Sequence, residues 1–152
     1  MTKLRFDPHG RGVDSAGLVP PIVHGEPIVA DGPRLLAIDQ LDARRVAEVR
    51  TSGHGVLAVG LTPDGTPFAV SNLCRHQGAK LGRGRVTDDG CLQCPWHRAE
   101  YDVADGAMTQ GPKGRIFGFK PYSLAIRAFG NVLKVRRFDV EVRDGAIWLK
   151  AR

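Results

Sequence analysis

Two pairs of cysteine and histidine mark the part of this chain whose residue types can do chemistry. Cys74 and His76 are separated by one residue, Cys94 and His97 by two, and seventeen residues lie between the pairs. Thiolates and imidazoles are ligands of transition metals and of iron–sulfur clusters. When two loops bring such pairs together they form a site with four ligands, so we predict a metal centre here.

The order Cys-x-His followed by Cys-x-x-His resembles the motif of Rieske proteins. The resemblance implies a [2Fe–2S] cluster in which Cys74 and Cys94 hold the inner iron and His76 and His97 the outer iron, since two histidines replace two cysteines on one iron of such centres. It also implies three neighbours of the cluster, Gly78, Trp96 and Pro112.

A structural zinc site is the competing interpretation of the same ligands. Zinc sites usually place like ligands together, as Cys-x2-4-Cys and His-x3-5-His, whereas each pair here joins one cysteine to one histidine. A variant zinc site through Cys91 and Cys94 stays open. A nucleophilic cysteine beside a histidine does not explain why the pairing occurs twice.

Several positions depart from the cytochrome bc type of Rieske protein. That type has two cysteines, joined in a disulfide, where this chain has Ala79 and Trp96, and it has a serine at the position of Ala99. Hydrogen bonds to cluster sulfurs raise the reduction potential, so their loss predicts the low-potential type associated with ferredoxins and oxygenases. Arg98 stands where the family commonly has glycine, and we expect an open, solvated rim there.

The segments around the ligands are predicted to be short β-strands, because nineteen glycines and ten prolines favour many turns. Apolar runs at 56–61 and 67–71 flank a Thr-Pro-Asp-Gly-Thr turn, which predicts a hairpin leading to Cys74. Residues 42–45 are compatible either with the start of a strand or with a helical turn. Further strands are predicted at 35–38, 46–50, 91–93, 100–103, 138–142 and 146–150.

We therefore predict an all-β fold: a Rieske-like antiparallel β-sandwich with a cluster-binding subdomain of two hairpin loops and one short helical insertion. The helix is predicted at 121–134, where apolar residues recur at intervals of three and four. Residues 1–34, rich in glycine and proline without periodicity, are predicted to form an irregular N-terminal extension. The remaining 35–152 form the Rieske domain by this interpretation.

The chain is basic, with 22 Lys and Arg against 16 Asp and Glu and a formal net charge of +6. A positive collar around the cluster favours an acidic redox partner, and no nucleic-acid-binding module is recognised. Seven cations fall in or beside the loops expected around the cluster: Arg75, Lys80, Arg83, Arg85, Arg98, Lys113 and Arg115. The predicted partner-docking residues are Arg75, Lys80, Arg83, Arg98 and Lys113.

No apolar run approaches the roughly 18 residues of a membrane span, and the N-terminal residues show no apolar signal segment. We therefore expect no membrane contact and a cytoplasmic location. Of three cysteines, two are assigned to the metal centre, so a disulfide framework is not expected. The third, Cys91, is predicted to be a buried structural thiol.

These features favour a ferredoxin-like one-electron carrier that passes electrons from a reductase to a terminal oxygenase. Rieske oxygenases also hold a mononuclear iron through two histidines and a carboxylate. The remaining His9, His24 and His54 lack such spacing, so no catalytic activity is expected of this chain alone. Two alternatives stay open: a small Rieske subunit bound permanently to a larger oxidoreductase, and a redox-sensing or structural iron–sulfur protein.

Overall fold

The computed structural model describes residues 5–6, 12–13, 25–30, 32–75, 78–111 and 134–151. Within these ranges the regular structure consists of β-strands and two short 3-10 turns, at Ile38–Gln40 and Leu81–Arg83. The strands are β1 (Arg5–Phe6), β2 (Gly12–Val13), β3 (Ile28–Val29), β4 (Arg34–Ala37), β5 (Val46–Thr51), β6 (Gly55–Leu61), β7 (Pro67–Ser71), β8 (Arg85–Val86), β9 (Cys91–Gln93), β10 (Glu100–Asp102), β11 (Met108–Gln110), β12 (Arg137–Phe138), β13 (Val140–Arg143) and β14 (Ala146–Leu149).

Three sheets build the domain. A central sheet has the order β12-β7-β6-β5-β3, a second sheet has the order β13-β14-β4, and a third has the order β11-β10-β9-β8. Strands β1 and β2 form a separate antiparallel pair. Among the described strands, β3 and β5 pair in parallel and the other neighbours are antiparallel.

The central sheet is covered on both faces. Leu57 and Val59 of β6 pack on one side with Ile147 of β14. Ala58, between them, packs on the other side in the cluster that contains Leu92 and Tyr101 of the third sheet. Because successive residues of a strand point to opposite faces, two covered faces require an unbroken apolar run. This explains the apolar sequence at 56–61.

The all-β fold class is confirmed, as are the hairpin at 56–71 and the strand at 91–93. Residues 42–45 form a turn, with Arg45 donating its backbone N–H to Asp42 O at 3.0 Å, and the strand begins at Val46. The predicted strand 138–142 is divided at Asp139: β12 joins the central sheet and β13 joins the second. The chain crosses between sheets at that point.

Two predictions concern segments that the structure describes only in part. The helix predicted at 121–134 lies outside the described residues except for Lys134, and so do Pro112 and Lys113. The N-terminal extension contributes β3, whose Ile28 and Val29 pair with Val49 and Arg50. The division at residue 34 stays a prediction. Nowhere in the described ranges does a helix have the length and hydropathy that a bilayer span requires.

Candidate metal centre

Two loops of equal construction carry the predicted ligands. The first loop, residues 74–79, is closed by the bridge between Leu73 and Lys80 and by a hydrogen bond of 2.8 Å from the Cys74 N–H to Ala79 O. The second loop, residues 94–99, begins and ends at strands β9 and β10. The Cys94 N–H there donates to Ala99 O, also at 2.8 Å. Each cysteine is therefore the first residue of a six-residue loop at the end of a hairpin.

The two loops bring the sulfur atoms of Cys74 and Cys94 into contact. Both cysteines are buried, and neither is in a disulfide. The contact with Cys74 and burial raise the pKa of the Cys94 thiol, while the backbone N–H groups of Trp96 and His97 donate to its sulfur and oppose that shift. When ionised, two buried sulfurs in contact require a cation to stabilise them. Iron supplies that charge, so the cysteine pair fits a [2Fe–2S] cluster.

The predicted histidine ligands are described in part. His97 is half-buried and its Nδ1 atom is shielded from solvent, whereas His76 lies outside the described residues. In the described part of the chain no three Cys, His, Asp or Glu side chains surround one point suited to a single metal ion.

A tyrosine that sequence reasoning missed contacts one of these sulfurs. Tyr101 of β10 is fully buried, and its hydroxyl lies 3.2 Å from Cys74 Sγ. The Arg75 backbone N–H donates to the same hydroxyl oxygen at 3.0 Å, so the hydroxyl hydrogen is free to point to the sulfur. Burial and the neighbouring Cys74 sulfur raise the pKa of Tyr101, which keeps it protonated. When Cys74 is a metal-bound thiolate, Tyr101 is therefore the donor.

This hydrogen bond changes the expectation, based on Ala79, Trp96 and Ala99, that the sulfurs of the site lack side-chain hydrogen-bond donors. Those three residues carry no hydroxyl or thiol to the cluster, but Tyr101 supplies one donor to a ligand sulfur. The signal was present in the sequence: an isolated tyrosine on a predicted strand, flanked by Glu100 and Asp102, is expected inside, and a buried tyrosine hydroxyl usually finds a partner. Which partner it finds depends on the packing.

The fifth residue of each loop adopts a left-handed backbone conformation. Gly78 has φ of +77° and Arg98 has φ of +59°. Both N–H groups donate to the carbonyl of the loop's cysteine, at 2.8 Å from Gly78 to Cys74 O and 3.2 Å from Arg98 to Cys94 O. Glycine adopts this conformation without cost and arginine does not. The conformation explains why glycine suits both positions, and Arg98 occupies one of them under strain.

The rim of the site combines apolar and cationic side chains. Trp96 is 61% exposed and Leu73 is 52% exposed, and each is adjacent to or near a predicted ligand. Arg75, Lys80 and Arg98 are also exposed, and no described carboxylate lies within ion-pair distance of them. We call these five residues the rim. The predicted docking residue Lys113 lies outside the described residues.

Arg83 differs from the other predicted docking residues. Its Nε donates to Glu48 Oε2 at 2.7 Å, and the Glu48 side chain is almost fully buried. The charge of Arg83 is therefore neutralised within the domain. Arg85 is exposed but donates to Gln93 Oε1 at 3.0 Å. The sequence placed these arginines near the cluster loops without showing which of them have intramolecular partners.

Cys91 does not take part in the site. Its thiol is half-buried rather than buried, 3.8 Å from the Thr109 hydroxyl. Burial raises its pKa, and the carboxylates of Glu100, Asp102 and Asp89 add to the rise against the hydrogen bond from Thr109. Cys94 contacts Cys74 instead, so the structure does not favour the variant zinc site through Cys91 and Cys94.

Known proteins match this chain over its central part. The family model "Rieske [2Fe-2S] domain" matches residues 33–120. The oxygenase component of dicamba O-demethylase from Stenotrophomonas maltophilia is 37% identical over 93 residues, which are 61% of this chain. The chain spans 24% of that protein's length.

Two smaller relatives match over most of their own length. The ferredoxin subunit of anthranilate 1,2-dioxygenase from Burkholderia cepacia is 36% identical over 87 residues, 57% of this chain and 78% of the subunit. The solved ferredoxin of carbazole 1,9a-dioxygenase from Nocardioides aromaticivorans is 27% identical with a TM-score of 0.57, covering 80% of this chain and 100% of that one. The chain thus belongs to the Rieske [2Fe-2S] domain family, and its cofactor is a [2Fe–2S] cluster.

Proposed function

We propose that this protein is a one-electron carrier whose cluster is held by Cys74, Cys94, His76 and His97. The proposal rests on the contact between two buried cysteine sulfurs, beside an exposed rim whose cations have no described carboxylate within ion-pair distance. The cluster accepts and returns one electron. The names of the related ferredoxins, each assigned to a dioxygenase, support electron transfer to a terminal oxygenase, and we take a reductase to be the electron donor.

The chain's own residues prepare the site for that exchange. The backbone N–H groups of Trp96 and His97 donate to Cys94 Sγ, and the Tyr101 hydroxyl donates to Cys74 Sγ. These donors stabilise the extra negative charge of the reduced state. Fixed hydrogen bonds also limit rearrangement of the ligands when the charge changes.

The rim supports an acidic docking partner. Leu73 and Trp96 offer apolar surface next to the ligands. Arg75, Lys80 and Arg98 offer charge, and among the described residues no carboxylate lies within ion-pair distance of them. Cations around an interface steer an acidic partner, and apolar contact at its centre holds it. We leave Arg83 out of the docking surface because Glu48 already binds its guanidinium.

We test the site by iron and sulfide analysis and by electron paramagnetic resonance (EPR) of the dithionite-reduced protein. We expect two iron and two sulfide per chain and a Rieske-type signal, with loss of both in Cys74→Ser and Cys94→Ser but not in Cys91→Ser. Zinc without sulfide, or loss of the cluster on substitution of Cys91, would refute the ligand assignment.

We test the rim with oxidants of opposite charge, which requires no knowledge of the native partner. Ferricyanide, an anion, should oxidise the reduced protein at a rate that falls with ionic strength, whereas a cationic tris(phenanthroline)cobalt(III) oxidant should show the reverse dependence. Lys80→Gln and Arg75→Gln should weaken both dependences. Arg143→Gln, which removes a cation paired with Glu141 elsewhere, is the matched control. Equal salt dependence for both oxidants would contradict charge steering.

A permanent Rieske subunit of a larger oxidoreductase is the second candidate. It is favoured by the match to an oxygenase component of which this chain spans about a quarter. Mass measurement of the native protein distinguishes the two: a carrier is recovered alone and reduces added acceptors, and a subunit is recovered with its partner. We place either form in the cytoplasm, since none of the three cysteines is joined in a disulfide.

A further inference from the structure

A buried carboxylate lies behind the first cluster loop. Glu48 of β5 is 9% exposed and binds two partners with its two oxygens. Asn72 Nδ2 donates to Oε1 at 2.7 Å, and Arg83 Nε donates to Oε2 at 2.7 Å. A buried carboxylate is retained only when it is well satisfied, and these short contacts satisfy it.

The two partners of Glu48 stand at opposite ends of the first cluster loop. Asn72 is two residues before Cys74, and Arg83 follows the loop. Asn72 also binds the returning chain itself: its Oδ1 accepts from the Gly82 N–H and its backbone oxygen accepts from the Leu81 N–H, both at 2.7 Å. The carboxylate therefore connects both ends of the loop to strand β5.

Gly82, in the 3-10 turn that follows the first loop, shows how closely the returning chain is held against the strand. A Cβ atom at this position would lie 2.7 Å from Glu48 Cγ and 3.0 Å from Glu48 Cα. No side chain larger than hydrogen fits between this turn and β5 without displacing one of them. The backbone of the turn that ends the first loop thus rests directly on Glu48, the residue whose carboxylate binds Asn72 and Arg83.

The two cluster loops differ in how they are attached to the fold. The second loop extends from a ladder in which Cys91, Leu92 and Gln93 of β9 pair with β10, and β8 pairs with β9 on the other side. The first loop has one isolated bridge, between Leu73 and Lys80, after β7 ends at Ser71. Side-chain bonds to Glu48 take the place of the missing ladder.

We propose that Glu48 is a positioning residue for the cluster: through Asn72 and Arg83 it fixes the first loop, and with it Cys74, relative to Cys94. Without the carboxylate, Asn72 and Arg83 lose their shared anchor on β5, the first loop is held less firmly, and the separation between the two sulfurs varies. The cluster is then bound less tightly and in a less uniform geometry. This role concerns retention of the cluster and goes beyond its use in electron transfer.

A general contribution to stability is the competing explanation, and the experiment separates the two. In the iron-loaded protein we measure the rate at which visible absorbance bleaches in the presence of a chelator, and the line width of the reduced EPR signal. Glu48→Ala and Arg83→Gln are compared with Val59→Ala. Val59 is also buried but packs on the opposite face of the central sheet, away from the loops. Temperatures are chosen equally far below each variant's melting temperature.

We expect the Glu48 and Arg83 variants to lose the cluster about 10- to 100-fold faster than Val59→Ala, as is common when groups that orient metal ligands are removed. The EPR line should broaden only in those variants. The double variant should be no faster than Glu48→Ala alone, because one network is being removed. If Glu48→Ala is not recovered with iron, Glu48→Gln, which keeps the shape of the side chain, replaces it.

Bleaching rates and line widths equal to those of Val59→Ala would overturn the proposal and leave Glu48 a contributor to stability only. The measurements need neither an electron donor nor an acceptor. Failure of the docking proposal therefore does not affect them, and a wild-type protein without iron and sulfide would refute the ligand assignment rather than the role of Glu48.

Discussion

Replacing Arg98 by glycine should stabilise the protein and slow its reaction with anions at the same time. Arg98 has φ of +59° at the loop position that Gly78 occupies in the first loop. The left-handed conformation costs about 1–2 kcal/mol for a residue with a Cβ atom. Glycine removes that cost, but its greater freedom in the unfolded chain offsets about 0.5–1 kcal/mol of the resulting stabilisation. The net gain is about 0.8 kcal/mol, which raises the melting temperature by roughly 2 °C in a chain of this size.

The same substitution removes a rim cation that no described carboxylate neutralises. A single positive charge about 10 Å from trivalent ferricyanide contributes roughly 1.2 kcal/mol of attraction in water and about 0.5 kcal/mol after screening at 0.1 M salt. The oxidation rate should therefore fall on the order of twofold at that ionic strength. The fall should be smaller at high ionic strength, where screening is stronger.

Two further substitutions separate strain from charge. Arg98→Ala removes the charge and keeps the strained conformation, so it should react as slowly as the glycine variant without its gain in stability. Arg98→Lys keeps both and should resemble the wild type. Thermal melts of the iron-loaded protein and stopped-flow oxidation supply the two measurements. A glycine variant no more stable than the alanine variant would refute the strain argument, and an unchanged rate would refute the charge argument.

Two other predictions follow from the contacts of individual side chains. Tyr101→Phe removes the donor to Cys74 Sγ. Because that hydrogen bond is stronger to the reduced cluster than to the oxidised one by about 1 kcal/mol, its loss should lower the midpoint potential by about 40 mV in a redox titration. An unchanged or higher potential would contradict the assigned direction of donation. In the iron-loaded protein, the raised pKa of Cys91 means that the thiol stays protonated at neutral pH. Its alkylation by iodoacetamide, followed by mass spectrometry, should still rise with pH above about 8.5, where the rate for a thiol of ordinary pKa begins to level off. A rate already constant below pH 8 would show that the thiolate is stabilised instead.

The sequence alone determined the chemistry of the centre, because that information is local. Spacing within a few residues identified the two Cys/His pairs, and turn residues at 62–66 identified the hairpin that leads to Cys74. Six-residue loops closed by backbone hydrogen bonds follow from such short-range patterns. The sequence showed that Arg98 stands where the family commonly has glycine, and the left-handed backbone conformation at this position explains why glycine suits it.

Only the tertiary structure decided which side chains support the ligands. Tyr101 meets Cys74 across 27 positions of the chain, and Glu48 meets Asn72 across 24 and Arg83 across 35. The alternation at 46–50 predicted a strand but not the burial of Glu48, since a charged residue at such a position is normally solvated. Contacts over these separations depend on how sheets pack against each other, and periodicity within one strand carries no information about the strand that covers it.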